Sequence, residues 1–505
     1  MEKIHDIPVC FIIPPSTFLA DERVFPFLGP LKVAAELKKN GNKVEVLDLS
    51  GYGNFEEIVE QYVKETDIKN FALTATTPQI PAAAKIVNKL REGAPEGKII
   101  LGGPHTTLTY TGMTEDLKAG RLSRGTLAYR QLEGLFDKLV VGDGELAIFR
   151  ALDPECKLKT IDAGNLKSPL FMQKGTLENF EFPARDLIDL DSYHYYIDGH
   201  RAFSVIAQLG CPFECGFCGG RDSQVFRVAR SRSINHVISE IEYEVGKSRE
   251  RGNPYSAAMF YDDELNISPK NLENLCQELI LMQERLGVEM RFRGFVKAEL
   301  FTPTQAKLMY DAGFRMLLSG VESGSDEMLK TMKKHTTSLI NSICLNYAKD
   351  AGLKFKALMS IGHPGESEKT VRESVDWVLK NKPDDVDWTI ITQYPGSPYF
   401  DKSIYDDQEQ AWVYVETKTG HKLWSRAIDY TVEAEYYKGV PGDYTSYVWT
   451  KYLSSERLVE LRDGAEQVTR NALKLPPITE AAVLQFEHSM GQNLPRNILR
   501  VSSIV

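Results

Sequence analysis

Three thiols stand close together near the middle of this chain. They are Cys211, Cys215 and Cys218, in the run Cys-Pro-Phe-Glu-Cys-Gly-Phe-Cys, and they are three of the seven cysteines. Thiolates are soft ligands that suit zinc and iron–sulfur clusters. Three of them on one loop leave one metal position open, and an open position on a cluster iron is where a small molecule can be held and reduced. A structural zinc site needs a fourth Cys or His at close spacing. The next histidine, His236, falls on what reads as the following helix. A disulfide needs an oxidising compartment, and nothing in the chain suggests secretion. The other four cysteines, Cys10, Cys156, Cys276 and Cys344, are scattered and read as buried free thiols.

The elements around the thiols must position them. An apolar run, Phe203 to Leu209, predicts a strand ahead of the loop, and Gly219-Gly220 opens after it. Further strands are predicted at 257–261, 290–296, 316–320, 355–361 and 388–392, with amphipathic stretches such as 270–286 between them. Such alternation predicts a parallel sheet whose carboxyl ends carry the site. Two of those ends are chemically marked. The run Asp262-Asp263-Glu264 costs repulsion unless it meets a cation or hydrogen-bond donors. The turn Gly362-His363-Pro364-Gly365-Glu366 follows the strand 355–361.

A second alternating pattern occupies the first part of the chain. Strands are predicted at 8–14, 44–47, 71–73, 98–101 and 138–141, and helices at 29–40 and 80–92. In such sheets ligands bind beyond the carboxyl ends of the strands. No GxGxxG follows the first strand and there is no Walker loop, which argues against a dinucleotide or a nucleoside triphosphate there. Residues 153–200 lack strong periodicity. Residues 401–505 are crowded with aromatics, among them Trp424, Tyr430, Tyr436, Tyr437, Tyr444, Tyr447, Trp449 and Tyr452, and helical spacing returns from Ser455 to Leu473.

Composition narrows the classes. The 505 residues allow two or three domains. A formal net charge of -10 argues against a nucleic-acid backbone as main partner. No stretch has the apolar length of a membrane span and the first residues do not form a signal peptide, so a cytoplasmic protein is expected.

The spacing CxxxCxxC, with Phe217 before its last cysteine, resembles the signature of the radical S-adenosylmethionine superfamily. The resemblance implies that Cys211, Cys215 and Cys218 bind a four-iron, four-sulfur cluster. It implies that S-adenosylmethionine chelates the fourth iron and is cleaved by one electron to a 5′-deoxyadenosyl radical. It further implies that Asp263, Glu322 and the turn with Gly362 and Gly365 surround S-adenosylmethionine. The strand ends Pro14-Pro15, Leu47-Asp48-Leu49, Gly102-Gly103-Pro104-His105 and Gly142-Asp143-Gly144-Glu145 resemble the cobalamin-binding domain that precedes such barrels. That resemblance implies Thr76, Gly102, Gly103 and Gly144 along the corrin, with His105 approaching it. The DxHxxG motif is absent, so no histidine from that motif is expected below the cobalt.

The implied fold is α/β. A Rossmann-like cobalamin-binding domain (1–152) is followed by a connector (153–200). A partial (β/α)6 TIM-type barrel (201–400) comes next, then a mainly helical, aromatic-rich cap (401–505). The implied activity is methyl transfer to an unactivated carbon or phosphorus of a small-molecule substrate, with an electron donor such as flavodoxin or ferredoxin. Ring closure or rearrangement without methyl transfer is one alternative, and a cofactor-bound sensor or scaffold is another. A methylthiotransferase fits less well, because the further cysteine trio of that family is missing.

Overall fold

The computed structural model describes residues 5–16, 22–434 and 444–475. Its first sheet is built from β1 (Val9–Ile13), β2 (Val44–Asp48), β3 (Asn70–Thr74), β4 (Lys98–Gly102), β5 (Lys138–Gly142) and β6 (Thr160–Ala163). The order is β2-β1-β3-β4-β5-β6 and every pairing is parallel. All five residues of β1 are buried, as expected for a strand covered by helices on both faces. The crossovers diverge between β1 and β3, which makes the carboxyl ends of those strands the natural ligand crevice. The sheet extends past residue 152, because β6 pairs with β5. Four residues reading Thr-Ile-Asp-Ala are too few for a periodicity signal.

The second sheet contains β7 (Tyr196–Ile197), β8 (His200–Val205), β11 (Ala257–Phe260), β12 (Arg291–Phe295), β13 (Phe314–Glu322), β14 (Lys354–Ile361) and β15 (Asp385–Ile390). Between β8 and β11, the short strands β9 (Gln208–Leu209) and β10 (Arg230–Ser231) pair with each other. The order is β15-β14-β13-β12-β11-β8-β7. Strands β8 and β11 to β15 run parallel, and only β7 is antiparallel. This is the open half-barrel expected of the central region. Its core includes Phe260, Phe292 and Phe314, whose ring centroids lie 5.5 to 5.8 Å apart, a spacing that favours tilted aromatic packing. The helix Pro269–Leu286 starts where Ser268 accepts the Asn271 N–H and ends at left-handed Gly287, the usual start and stop chemistry.

The C-terminal region differs from the helical expectation. Strands β16 (Ile404–Asp406), β17 (Ala411–Val415), β18 (Lys422–Ser425) and β19 (Val448–Thr450) form an antiparallel sheet, and among the described residues one helix, Ser455–Leu473, follows. The aromatic crowding is strand chemistry: Trp424 lies directly opposite Trp449, and such cross-strand pairs stabilise sheets. Tyr436, Tyr437 and 438–442 lie outside the described residues.

Arginines tie the regions together. Arg185 of the connector pairs with Glu240 at 2.7 Å and Glu244 at 3.1 Å. Arg124, on the helix Arg124–Leu135 beside the first sheet, donates to Gln393 at 2.5 Å and to the Phe400 carbonyl at 3.0 Å. Its guanidinium lies 3.9 Å from the centre of the Phe400 ring. Breaking the buried Arg185 pairs strands a charge and costs about 3–5 kcal/mol, and Arg124 adds neutral hydrogen bonds across the join.

Candidate functional site

The cysteine loop is held by its backbone, leaving the thiols for other work. The Cys211 N–H donates to the Phe226 carbonyl at 2.8 Å, and the Gly216 N–H to the Met332 carbonyl at 2.8 Å. The Gly216 carbonyl accepts the Tyr399 N–H at 3.2 Å, and the Gly220 N–H donates to the Gly396 carbonyl at 3.0 Å. Gly216 has no room for a side chain, since a Cβ would sit 2.8 Å from the Tyr399 ring. Burial pushes the Cys211 thiol up to about 11 and the Cys218 thiol to about 12, and the neighbouring thiols and Asp263 add to both shifts. Cys218 nevertheless keeps exposed surface. A bound metal would reverse the shift, because a coordinating thiol is deprotonated. Among the described residues, no three His, Cys, Asp or Glu side chains converge as one metal ion requires. A cluster asks for a wider set, with each thiolate on a different iron.

The carboxyl ends of β11, β13 and β14 surround this loop with ionisable groups, some buried and some open. Asp262 is buried and accepts the Ala207 N–H at 3.1 Å. Loss of water lifts it to about 7. Asp263 is also raised by burial, against a hydrogen bond from the Gly210 backbone. Glu264 is lifted to about 7 by burial, although Lys334 and Lys297 pull the other way. Glu322 sits at φ 62° where the β13–β14 register shifts. Its carboxylate meets Lys334 at 3.2 Å and accepts the Ser360 hydroxyl at 2.9 Å. Burial alone would lower the Lys334 ammonium, but Glu322, Cys215 and Glu264 outweigh it and hold the group above its ordinary value. Gly320 makes room for this pair, since a Cβ there would lie 2.5 Å from Glu322 Oε1 and 2.7 Å from Lys334 Nζ.

The turn after β14 continues the network. His363 Nε2 lies 2.8 Å from Ser360 Oγ. The single hydroxyl proton of Ser360 goes to the carboxylate, which can only accept. His363 therefore carries its proton on Nε2, and Nδ1 is a bare acceptor, buried without a hydrogen-bond partner. Burial, with Lys334 adding to it, pushes this imidazole down to about 3. Phe217 meets the His363 ring edge-on at 5.2 Å. Gly362 and Gly365 have φ of 90° and 87°, and their part is to shape the turn. Its backbone N–H groups at Gly362 and His363 bond the Glu366 carboxyl.

The first sheet offers a different setting. At its carboxyl edge lies a cavity of about 270 Å³. Thr74, Gly102, Gly103 and Gly144 line it, with apolar walls from side chains such as Phe11 and Ile100. Gly103, at φ 93°, lets the chain turn into the helix Pro104–Lys118, and a Cβ there would lie 2.6 Å from Thr74 Oγ1. Gly144 instead permits close helix packing, its Cβ position being 2.7 Å from Val33. Two expected residues are placed elsewhere. Thr76 caps the turn Thr77–Gln79, its N–H donating to Gln79 Oε1 at 2.9 Å. His105 is buried, with Nδ1 3.0 Å from Thr77 Oγ1 and its ring 5.4 Å from that of Tyr430. Burial lowers its imidazole to about 3, so it is neutral.

Several participants carried no sequence signal. Lys334 lies between Lys333 and His335, both at positive φ, and nothing in three consecutive basic residues marks the middle one as buried. Thr74 sits two residues from the predicted Thr76, and only the end of β3 decides between them. Phe226 lines the cavity and holds the cysteine loop through its carbonyl.

Comparison with known proteins agrees with this geometry. The family model of the radical SAM superfamily matches residues 205–378, and that of the B12 binding domain matches residues 24–133. An uncharacterized methyltransferase of Pyrococcus horikoshii is 26% identical over 419 residues, covering 78% of this chain and 83% of that protein. The bacteriochlorophyllide d C-12(1)-methyltransferase of Chlorobaculum tepidum is 25% identical, covering 66% of this chain and 65% of its own length. The anaerobic magnesium-protoporphyrin IX monomethyl ester cyclase of Cereibacter sphaeroides is 23% identical, covering 70% and 56%. The chain thus spans less than two thirds of the length of the last two. The structure of TsrM from Kitasatospora setae, a radical S-adenosylmethionine methyltransferase with cobalamin and a [4Fe-4S] cluster bound, superposes with a TM-score of 0.63 at 16% identity. That superposition covers 97% of this chain and 91% of TsrM, a likeness of fold. Among the described residues no helix is long and apolar enough to cross a membrane. With its cysteine loop in a half-barrel and a B12 binding domain ahead of it, the chain belongs to the cobalamin-binding radical S-adenosylmethionine family.

Proposed function

We propose that this protein is a cobalamin-dependent radical S-adenosylmethionine methyltransferase acting on an unactivated carbon, or phosphorus, of a small molecule. The observation that carries the reading is a shared wall: Leu209 and Phe226 border the apolar cavity, and Gly210 and Cys211 begin the cysteine loop beside them. A methyl carrier and a radical source must act on one substrate atom, so their sites have to adjoin. When bound, the cluster supplies an electron, S-adenosylmethionine the radical precursor, and the corrinoid the methyl group.

The residues fit these groups. Three thiols on one pinned loop match the protein ligands of a cluster with one open iron. Asp263 and Glu322 offer carboxylates for the ammonium and hydroxyl groups of S-adenosylmethionine, and Lys334 fixes Glu322 for that task. The cavity is below the range of about 300–1,000 Å³ typical of whole-ligand pockets. It would suit one appendage of a large cofactor, and Gly102 and Gly103 are among the residues that would hold it. In this reading residues 1–152 hold the corrinoid, 153–200 connect, 201–400 hold the cluster, and 401–505 cover the substrate. An external one-electron donor such as flavodoxin or ferredoxin reduces the cluster.

The test is anaerobic reconstitution with hydroxocobalamin, followed by tracing of a labelled methyl group from S-adenosylmethionine. Near one cobalamin per chain and label in a product supports the reading. Retained cobalamin with 5′-deoxyadenosine formed but no label transferred favours ring closure, the chemistry named in the cyclase relative. Failure to retain cobalamin removes the methyl carrier and the reading with it.

A further inference from the structure

The segment between the cysteine loop and β11 touches both sites, and its contacts go beyond adjacency. Phe226, half-buried on the short helix Gln224–Arg227, borders the cavity. Its carbonyl accepts the Cys211 N–H at 2.8 Å. Its side chain also closes the other end of the loop, for a Cβ on Gly220 would lie 2.4 Å from Phe226 Cδ2. Shifting Phe226 therefore moves both ends of the cysteine loop.

Arg230 fastens this segment to the cavity wall from behind. It is buried and donates to the Asp143 carboxylate, to the Met172 carbonyl at 3.1 Å and to the Val225 carbonyl at 3.1 Å. Asp143 itself lines the cavity. Arg230 also pairs in register with Leu209, another cavity residue, through β9 and β10. The loop, the helix Gln224–Arg227 and the Asp143 turn are thus one connected body with the cavity on one side and the thiols on the other.

We propose that Phe226 and the Arg230–Asp143 pair are positioning residues that couple the two cofactor sites, so that a corrinoid in the cavity tightens the cluster and the cluster tightens the corrinoid. The proposal rests on the cobalamin reading above. A group filling the cavity meets Phe226 and fixes its carbonyl on Cys211. A cluster on the three thiols fixes the same carbonyl from the other side. Each event pre-orders what the other must order, and coupling between two binding sites is reciprocal.

The experiment measures hydroxocobalamin affinity of the full chain anaerobically, with and without a reconstituted cluster. It also measures the rate of iron loss to a chelator, with and without hydroxocobalamin. The wild-type protein should bind hydroxocobalamin about fivefold or more tightly when the cluster is present, within the usual range of coupling. It should lose iron more slowly when hydroxocobalamin is bound. Phe226→Ala and Asp143→Asn should bring both ratios towards one, and Phe226→Leu, which keeps apolar bulk, should restore most of the effect. Equal affinity with and without the cluster in the wild-type protein overturns the coupling and leaves the cobalamin reading standing. No hydroxocobalamin binding in either state overturns both. Ratios unchanged in Phe226→Ala and Asp143→Asn overturn the assignment to these residues.

Discussion

The two sites are built on opposite principles. Around the cysteine loop the protein gathers ionisable groups: Asp262, Asp263, Glu264, Glu322 and Lys334 crowd one end of the half-barrel, Asp262 and Lys334 buried, Glu264 and Glu322 half-buried and Asp263 exposed. Around the cavity of the first sheet it buries shape, with apolar walls and glycine turns at 102, 103 and 144. Buried charge is costly unless a partner of opposite sign arrives, so the first site is made for a ligand that brings charge and metal. An apolar crevice discriminates by fit, and each of its walls contributes only its share of buried surface. It follows that the first site should fail at a single residue and the second should weaken by degrees.

The sharpest break is Cys215→Ala. With one thiolate gone the cluster lacks a protein ligand, so bound iron should fall steeply and product formation should drop to background. Hydroxocobalamin should still bind, less the contribution of the cluster. Iron analysis, the charge-transfer absorbance of the cluster and corrinoid retention after desalting check all three. Full product formation by this variant would rule out the radical mechanism.

The converse break fills the crevice. Ala72 lines the cavity and is buried. Ala72→Phe should lower hydroxocobalamin affinity by about tenfold or more while iron content stays near that of the wild type. Overpacking carries its own cost of about 1–3 kcal/mol, so a urea titration should accompany the binding measurement. Loss of iron as complete as that of corrinoid, with the fold intact, would exceed the reciprocal coupling and mean that crevice and thiols form a single site.

Legibility from sequence follows the same divide. The cysteine loop stood out because coordination chemistry constrains residue type and spacing at once, and Asp263 and Gly362–Gly365 fall just beyond strands that the periodicity predicts. The half-barrel was legible for the same reason, since its alternation of strands and helices is regular. The crevice was harder. Shape depends on where a strand stops, and Thr74 rather than Thr76 faces the cavity because β3 ends at Thr74. His105 lies in the first turn of the helix Pro104–Lys118, and its side chain packs away under Tyr430. The C-terminal sheet was missed because clustered tyrosines and tryptophans suit strands and packed helices alike, and only pairing such as Trp424 with Trp449 decides.

A smaller effect sharpens the account of the charged site. Glu322→Gln keeps the shape and removes the charge that faces Lys334. S-adenosylmethionine affinity should fall by about tenfold, and cluster content and corrinoid binding should not change. Equilibrium binding of S-adenosylmethionine to the reconstituted protein checks it. An unchanged affinity would show that the Glu322–Lys334 pair serves the barrel alone.

The smallest effect is on stability and tests whether burial sets the carboxyl groups as described. Glu366 is buried and accepts bonds from Thr370 and from the backbone of the turn, yet burial lifts it from 4.5 to about 7. Between those values the native chain holds a proton that the unfolded chain has released. Stability from this group therefore falls as pH rises from about 4.5 through 7 and is flat above, the reverse of a salt-bridged carboxylate. Glu366→Gln replaces the protonated form with a neutral group of the same shape. The variant should match the wild type near pH 5 and exceed it near pH 8, by an amount on the order of 1–2 kcal/mol after discounting for relaxation of the turn. Urea midpoints of the cluster-free protein at the two pH values measure this directly. A variant that is less stable at both would show that Glu366 is ionised in the native turn and held there by its hydrogen bonds.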